Sequence, residues 1–259
     1  MRTILGYPHL RATPVTIEAY EHEITALEEA RRHQAVSVPG MWRMPKKEMS
    51  SSNWWEEKVV SRLIRYGCGS QRIMDLRSEV IPHAQGKVFE LGCGAGANQA
   101  LYDSTKVTSF TAIEPSSTLL EFARQAAAKK GWEAEIRSGL GENIPFPDES
   151  FDTVVCTFTM CSVLDQARSL AELRRILKPG GTFLFAEHGR SPDANIARWQ
   201  ERIDPLWSRL MGNCHLSRPV TAAIEKAGFS VTESARQYRD GPRIVSWMEW
   251  GSAVKPLPT

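Results

Sequence analysis

Val88-Phe89-Glu90-Leu91-Gly92-Cys93-Gly94-Ala95-Gly96-Ala97-Asn98 decides the fold. The apolar run that closes at Leu91 reads as a strand, and the glycines at 92, 94 and 96 put a tight turn between it and a helix expected over 97–103. Alternate glycines let backbone approach a ligand where a Cβ would collide, and they leave N–H groups aimed at it. In an open parallel sheet such a turn lies in the crevice beyond the carboxyl ends of the strands.

Outward from this turn, short apolar runs alternate with helical segments. Lys87–Leu91, Val107–Ile113, Glu133–Arg137, Thr153–Thr157 and Thr182–Ala186 read as strands, with helices at 97–103, 116–129 and 165–176. Strands separated by helices require crossover connections, hence a mostly parallel sheet covered on both faces. Further on come helices at 192–211 and 219–227, then two strands, Gly228–Glu233 and Val245–Gly251, which place an antiparallel strand at the edge. The expected architecture is a three-layer, Rossmann-like α/β domain over 81–259, with a seven-stranded sheet that is parallel apart from one strand.

Residues 1–80 read as a helical arm, with helices over Thr16–Gln34, Trp54–Tyr66 and 71–80. Met41, Trp42, Met44, Trp54, Trp55 and Tyr66 concentrate large side chains in its second half. The arm is read as a lid that keeps water from a small acceptor. Burial of the same aromatics against the domain, or against a second copy in a homodimer, is the alternative.

Two acids narrow the ligand. Glu90 stands just ahead of the turn, where a carboxylate would repel a pyrophosphate but accept from the ammonium of an amino acid. The turn reads GCGAG, whereas the dinucleotide fingerprint is GxGxxG. Glu114 closes the second strand, placed to accept from both hydroxyls of a ribose. These features favour S-adenosyl-L-methionine over a dinucleotide. The third ligand-facing loop, Gly139-Leu140-Gly141-Glu142-Asn143, offers backbone around Gly141 to an adenine edge and Leu140 to its face; Glu142 and Asn143 read equally well as capping or turn residues. Thr157, at the end of the fourth strand, is expected to face the cofactor.

The 259 residues suffice for one α/β domain with additions at its ends. A formal net charge of +2 is too small to imply a nucleic-acid partner. No run approaches the roughly 18 apolar residues of a membrane-spanning helix, and no signal peptide opens the chain. Five cysteines, at 68, 93, 156, 161 and 214, argue by their odd count and apolar settings for reduced thiols and a cytoplasmic location. Neither CxxC nor HExxH occurs, so no metal is expected.

Taken together, the motifs resemble those of the class I S-adenosylmethionine-dependent methyltransferases over 86–188. Val88–Gly96 resembles the glycine-rich motif of that family and Ala112-Ile113-Glu114-Pro115-Ser116 its ribose motif. Gly141–Phe146 resembles its adenine loop, and Leu177–Thr182 its turn into the fifth strand. The resemblance implies cofactor contacts from Glu90, Gly92, Gly94, Gly96, Asn98, Glu114, Pro115, Ser116, Leu140, Gly141, Glu142 and Thr157. Where many members carry an acid for the adenine amino group, this chain has Leu140.

A narrower similarity is to the methyltransferase-like 7 proteins, membrane-associated enzymes that methylate small thiols. Its carriers are Glu90–Asn98, Val155-Cys156-Thr157 with Cys161-Ser162-Val163, Glu187-His188, and the span from Asp204-Pro205 through Trp207 and Cys214 to Arg218. Two departures stand out. Residues 1–50 are polar and proline-containing where those proteins have an apolar anchor, and Gly212-Asn213-Cys214-His215 replaces a pattern closer to Asp-Gly-Cys-Asn.

Methyl transfer from a sulfonium is an in-line displacement, so the protein's work is to orient the acceptor, exclude water and, for a thiol, favour the thiolate. His188, at the carboxyl end of the fifth strand, is the first candidate for that role, with capping of the strand as the alternative. His215 is the second. Asp204 and Trp207 share a helix face and are candidates for a wall of the acceptor pocket. The expected activity is methylation of a small thiol. Carbon, oxygen or nitrogen methylation of a quinone, phospholipid head group or secondary metabolite is the enzymatic alternative, and a noncatalytic cofactor-binding protein the other.

Overall fold

A computed structural model describes residues 67–258; the helices expected over 16–34 and 54–66, and the lid aromatics, lie outside them. Seven strands form one sheet: β1 (Gly86–Leu91), β2 (Val107–Ile113), β3 (Ala134–Arg137), β4 (Phe151–Thr157), β5 (Leu177–His188), β6 (Ser230–Tyr238) and β7 (Trp247–Val254). Five helices accompany them: α1 (Gln71–Val80), α2 (Ser117–Lys130), α3 (Gln166–Ile176), α4 (Ala194–Leu210) and α5 (Val220–Lys226). The strand order is β3-β2-β1-β4-β5-β7-β6. Strands β1 to β5 pair in parallel, while β7 runs antiparallel to both of its neighbours. The expected three-layer, Rossmann-like architecture with a single antiparallel strand is therefore the observed one, except that this strand, β7, lies between β5 and β6 rather than at the edge, because the β6–β7 hairpin inserts its second strand next to β5.

The reversal of strand order about β1 follows from crossovers that leave β1 in both directions, and the crevice it creates opens beyond the ends of β1 and β4. Both faces of the sheet are covered. Leu76 and Val80 of α1 and Ala123 and Ala127 of α2 pack with Val88, Phe110 and Val155 on one side. Leu170, Leu173 and Ile176 of α3 and Ile224 of α5 pack with Phe89, Val154, Phe183 and Phe185 on the other. Helix α1, which the sequence reading assigns to the arm, thus contributes to the core of the sheet domain. Burying each of the larger side chains, valine through phenylalanine, contributes roughly 1.5–3 kcal/mol.

Local chemistry sets the helix ends. Ser116, Asp165 and Asp193 accept from free N–H groups at the starts of α2, α3 and α4. Gly131, at φ +75°, closes α2 in the left-handed conformation. Helix α4 runs through Pro205, so Asp204 neither starts nor ends it.

The helix expected over 97–103 is absent; a single 3-10 turn, Gln99–Leu101, takes its place. Side chains in the segment have other commitments. Asn98 and Tyr102 both bond to the Glu90 carboxylate, and these tertiary bonds hold the chain in a compact loop against weak helix propensity.

Candidate functional site

The glycine turn after β1 is held by the protein at two of its three glycines and left open at the third. All three have positive φ, +67° at Gly92, +53° at Gly94 and +82° at Gly96. A Cβ at Gly92 would lie 2.3 Å from Thr159, and one at Gly96 would lie 2.7 Å from Ala126. At Gly94 it would meet nothing within 4 Å. Gly92 and Gly96 are therefore required by close packing, whereas Gly94 borders free space.

Glu114 braces this opening. Its Oε2 accepts from the Gly94 N–H at 3.0 Å and its Oε1 from the Ser116 N–H at 2.9 Å. The carboxylate so ties the glycine turn to the start of α2, and burial raises its pKa against the lowering effect of these two bonds. Each oxygen retains a lone pair for a further donor. Pro115 is exposed between them, and the Ser116 hydroxyl is committed to the Leu119 N–H.

Glu90 is 1 % exposed and sits beneath the turn rather than within it. Its Oε1 accepts from Asn98 Nδ2 and its Oε2 from the Tyr102 hydroxyl, each at 2.8 Å. Arg77 completes the network by donating to Asn98 Oδ1 at 2.6 Å and to Thr157 Oγ1 at 2.5 Å. Asn98 also donates to Thr157 Oγ1 at 3.0 Å. Burial raises the Glu90 pKa, with Tyr102, Arg77 and Asn98 opposing it. Thr157 and Asn98, expected at the cofactor, are instead buried in this network, because a desolvated arginine needs acceptors and they supply them. Arg77 had no signal in the sequence beyond its place in an amphipathic helix.

The third loop divides similarly. Leu140 is 50 % exposed, an apolar surface facing outward beyond β3. Gly141 is packed, since a Cβ there would come within 2.9 Å of Ser169 Oγ and 3.2 Å of Leu91. Glu142 accepts from the Asp165 N–H at 2.9 Å, so its carboxylate anchors the approach to α3 rather than a ligand.

A different chemistry gathers beyond β4 and β5. Glu187, fully buried on β5, accepts from the N–H groups of Thr159 and Met160 at 2.8 Å and of Cys161 at 3.3 Å. It moulds the loop after β4 as a single carboxylate bound by successive amides, although burial raises its pKa. Phe158 opens that loop at φ +53°, a strained conformation for a non-glycine residue that costs roughly 1–2 kcal/mol. Its ring lies against Arg77, 5.0 Å from the guanidinium, and edge-on to His188, 5.3 Å between centroids.

The 212–218 segment is laid over the same loop. Asn213, at φ +64°, donates to the Ser162 carbonyl at 2.7 Å, the His215 N–H donates to the Cys161 carbonyl at 2.9 Å, and Arg218 donates to the carbonyls of Met160 and Val163. Asp204 pins the segment from α4: it accepts from the Leu216 N–H at 2.7 Å and from the Ser217 hydroxyl, and lies 3.5 Å from His215 Nδ1. Asp204 and His215, expected at the acceptor, are thus brought together with each other as fasteners of this segment.

What they fasten is a sulfur and imidazole cluster. Cys161, His188 and Cys214 each present a ligand atom within 4.8 Å of the other two, and Trp207 packs beside Cys161 and Cys214. The Cys214 thiol is pulled down to about 4, first by the hydrogen bond from Cys161 and then by His188 and Trp207. The Cys161 thiol is pushed up by the same bond and by burial. His188 Nδ1 and Trp207 Nε1 are buried without a hydrogen-bond partner of good geometry among the described residues. The sequence reading names His188 and Trp207 but gives Cys161 and Cys214 no chemical part.

Comparisons with known proteins bear on the family and the fold. The family described as a methyltransferase domain matches residues 89–185. The thiol S-methyltransferase TMT1B of Rattus norvegicus is 38 % identical over 173 residues, 64 % of this chain and 68 % of that protein. The Homo sapiens TMT1B is 33 % identical over 177 residues, 66 % of this chain and 70 % of that protein. Among solved structures, a Thermotoga maritima protein described as a SAM-dependent methyltransferase, possible histamine N-methyltransferase, superposes with a TM-score of 0.57 at 23 % identity, covering 77 % of this chain and 97 % of that one. At that identity the match speaks for the fold alone.

Proposed function

The chain belongs to the class I S-adenosylmethionine-dependent methyltransferases, and on that premise we propose that it methylates the sulfur of a small thiol, such as sulfide or methanethiol. It is an active methyltransferase of small molecules whose cofactor is S-adenosylmethionine; the sulfur acceptor is the step taken here. When bound, that cofactor supplies a methyl carbon already activated by its sulfonium.

The residues fit the cofactor. The space over Gly94 is open, with no atom within 4 Å of where a Cβ would stand, and Glu114 stands at its edge with lone pairs to offer a ribose. Leu140 supplies an exposed apolar face at the adenine end. Glu90 with Asn98 and Tyr102 holds the turn from below, as a buried support.

The observation that carries the thiol is His188 at the end of β5, its Nδ1 buried beside two cysteine sulfurs and without a hydrogen-bond partner of good geometry among the described residues. A buried polar atom without a partner is costly, and such atoms mark places where a ligand completes the hydrogen bonding. An imidazole there favours the ionised form of a thiol, which at an ordinary pKa of about 8.5 is only a few per cent thiolate at neutral pH. Similarity to the TMT1B thiol methyltransferases supports the same acceptor class.

The test is a panel in one cofactor-turnover assay: sulfide, methanethiol and short alkyl thiols against a quinol, a primary amine and ethanolamine head groups. We expect turnover of the thiols. Turnover of a quinol or amine with none of any thiol would refute the proposal and favour the carbon, oxygen or nitrogen alternative.

A further inference from the structure

Cys161, His188 and Cys214 come from three separate parts of the fold, the loop after β4, the end of β5 and the segment after α4. Their ligand atoms nevertheless converge within 4.8 Å of one another. Ligands held about 2.0–2.3 Å from a common tetrahedral ion stand about 3.5–3.8 Å apart, which such a cluster reaches with side-chain adjustment alone.

We propose that these three side chains bind a soft divalent cation of the zinc class, with the fourth coordination position taken by the acceptor's sulfur. The proposal rests on the thiol reading and supplies its means of activation. Two thiolates and an imidazole are the donors such a cation selects over oxygen-ligated ions. Three protein ligands with one position left for water or substrate is the pattern of catalytic rather than structural zinc.

The surroundings hold the ligands in place. Glu187 fixes the Cys161 backbone, and Phe158 packs edge-on against the His188 ring. Asn213, His215 and Asp204 fasten the segment that carries Cys214. Arg218 donates to the carbonyls of Met160 and Val163 that flank Cys161, placing positive charge near a site whose thiolates, once the acceptor is bound, outnumber the cation's charge. His188 Nδ1 is buried without a hydrogen-bond partner of good geometry among the described residues, so a ring nitrogen is free to turn to a cation.

The chemistry balances. A thiol entering the fourth position releases its proton to solvent. Its sulfur lone pair forms the new bond to the methyl carbon as the sulfonium carbon–sulfur bond breaks, the electron pair of that bond staying on the departing thioether. The methylated acceptor is neutral, a weaker ligand than a thiolate, and leaves the cation in its original state.

The experiment loads the full chain with zinc, removes the excess by desalting, and measures metal content together with sulfide turnover before and after chelation. One ion per chain is expected, with turnover reduced at least tenfold by the chelator and restored by zinc. Cobalt in place of zinc should give thiolate-to-cobalt charge-transfer absorption that zinc displaces. Cys161→Ser, Cys214→Ser and His188→Gln should each weaken binding by at least the roughly 10–100-fold that loss of an outer-shell partner costs, while melting like the metal-stripped wild type. Cys93→Ala, outside the cluster, should keep the ion.

No metal in the loaded wild type alongside undiminished thiol turnover would overturn the site and leave the thiol reading standing. Retention of the ion by Cys214→Ser would overturn the ligand set. Loss of the ion in Cys68→Ser would mean that a third cysteine supplies the fourth ligand, which overturns the open position. Binding without turnover of any thiol would contradict the thiol reading and the role given to the fourth position.

Discussion

The two halves of the crevice solve opposite problems. On the β1–β2 side the two buried carboxylates have partners within the protein: Glu90 in Asn98 and Tyr102, Glu114 in the amides of Gly94 and Ser116. On the β4–β5 side, His188 Nδ1 and Trp207 Nε1 are buried beside the Cys214 sulfur, without a hydrogen-bond partner of good geometry among the described residues. The carboxylates of the first half are satisfied before a ligand arrives, although Arg77 Nε and the Gln99 amide also lack partners there among the described residues, and that half presents open space over Gly94. The second is left incomplete, so that the acceptor's end of the reaction completes it.

The contrast can be broken from either side, and the largest effect should come from the incomplete half. His188→Ala is expected to lower turnover by roughly 10²–10⁴-fold, the range for a group acting at the reacting atoms, with cofactor affinity unchanged in calorimetry. Wild-type turnover across the pH range would make His188 a structural residue. In the finished half, Glu114→Ala removes both braces of the glycine opening. It should weaken cofactor affinity by about 10–100-fold, consistent with one or two hydrogen bonds to a charged group, while leaving the circular dichroism spectrum intact. Unchanged affinity would remove Glu114 from the site.

Two smaller effects sharpen the division. Glu187→Gln turns an amide N–H₂ toward backbone donors at the loop after β4, and should cost about 1–3 kcal/mol of stability in denaturant titration. A neutral result would mean that the loop holds its shape without the carboxylate. Glu90→Gln tests the buried support through pH. The Glu90 pKa is raised by burial, so its contribution to stability is fully present below the unfolded carboxylate value and is lost as pH rises through the higher folded one. Wild-type melting temperature should therefore fall between mildly acidic and neutral pH, and Glu90→Gln should flatten part of that fall. An identical slope in the variant would show that Glu90 does not carry it.

Legibility in the sequence followed the same division. The finished half is built from neighbours in the chain, and glycines at alternate positions after an apolar run leave a local mark. Strand β2 lies where its apolar run places it, and α2, α3 and α5 within a residue or two of their expected ends. The 97–103 segment departed because its side chains serve Glu90 across the loop, a tertiary claim that propensity does not register. Strand β5 begins at Leu177 rather than Thr182, because the pairing continues through the turn residues, where Gly180 and Gly181 bond with Lys255 just past the end of β7. The incomplete half has no local signature. Cys161, His188 and Cys214 are dispersed, and only the folding of the 212–218 segment over the loop after β4 joins them. Arg77 was silent, and Glu187 figured only within a motif, without a role, for a similar reason, since a buried charge is recognisable only once its partners are known.

The central claim, that the shaped half and the incomplete half face each other across the transferred methyl, is tested most directly by a crystal structure with S-adenosylhomocysteine bound. The account predicts its ribose at Glu114, its backbone at Gly94, and its sulfur directed at the Cys161–His188–Cys214 cluster, with room between for an acceptor of one or two carbons. A product sulfur directed away from that cluster, toward an open groove large enough for a ring system, would contradict it.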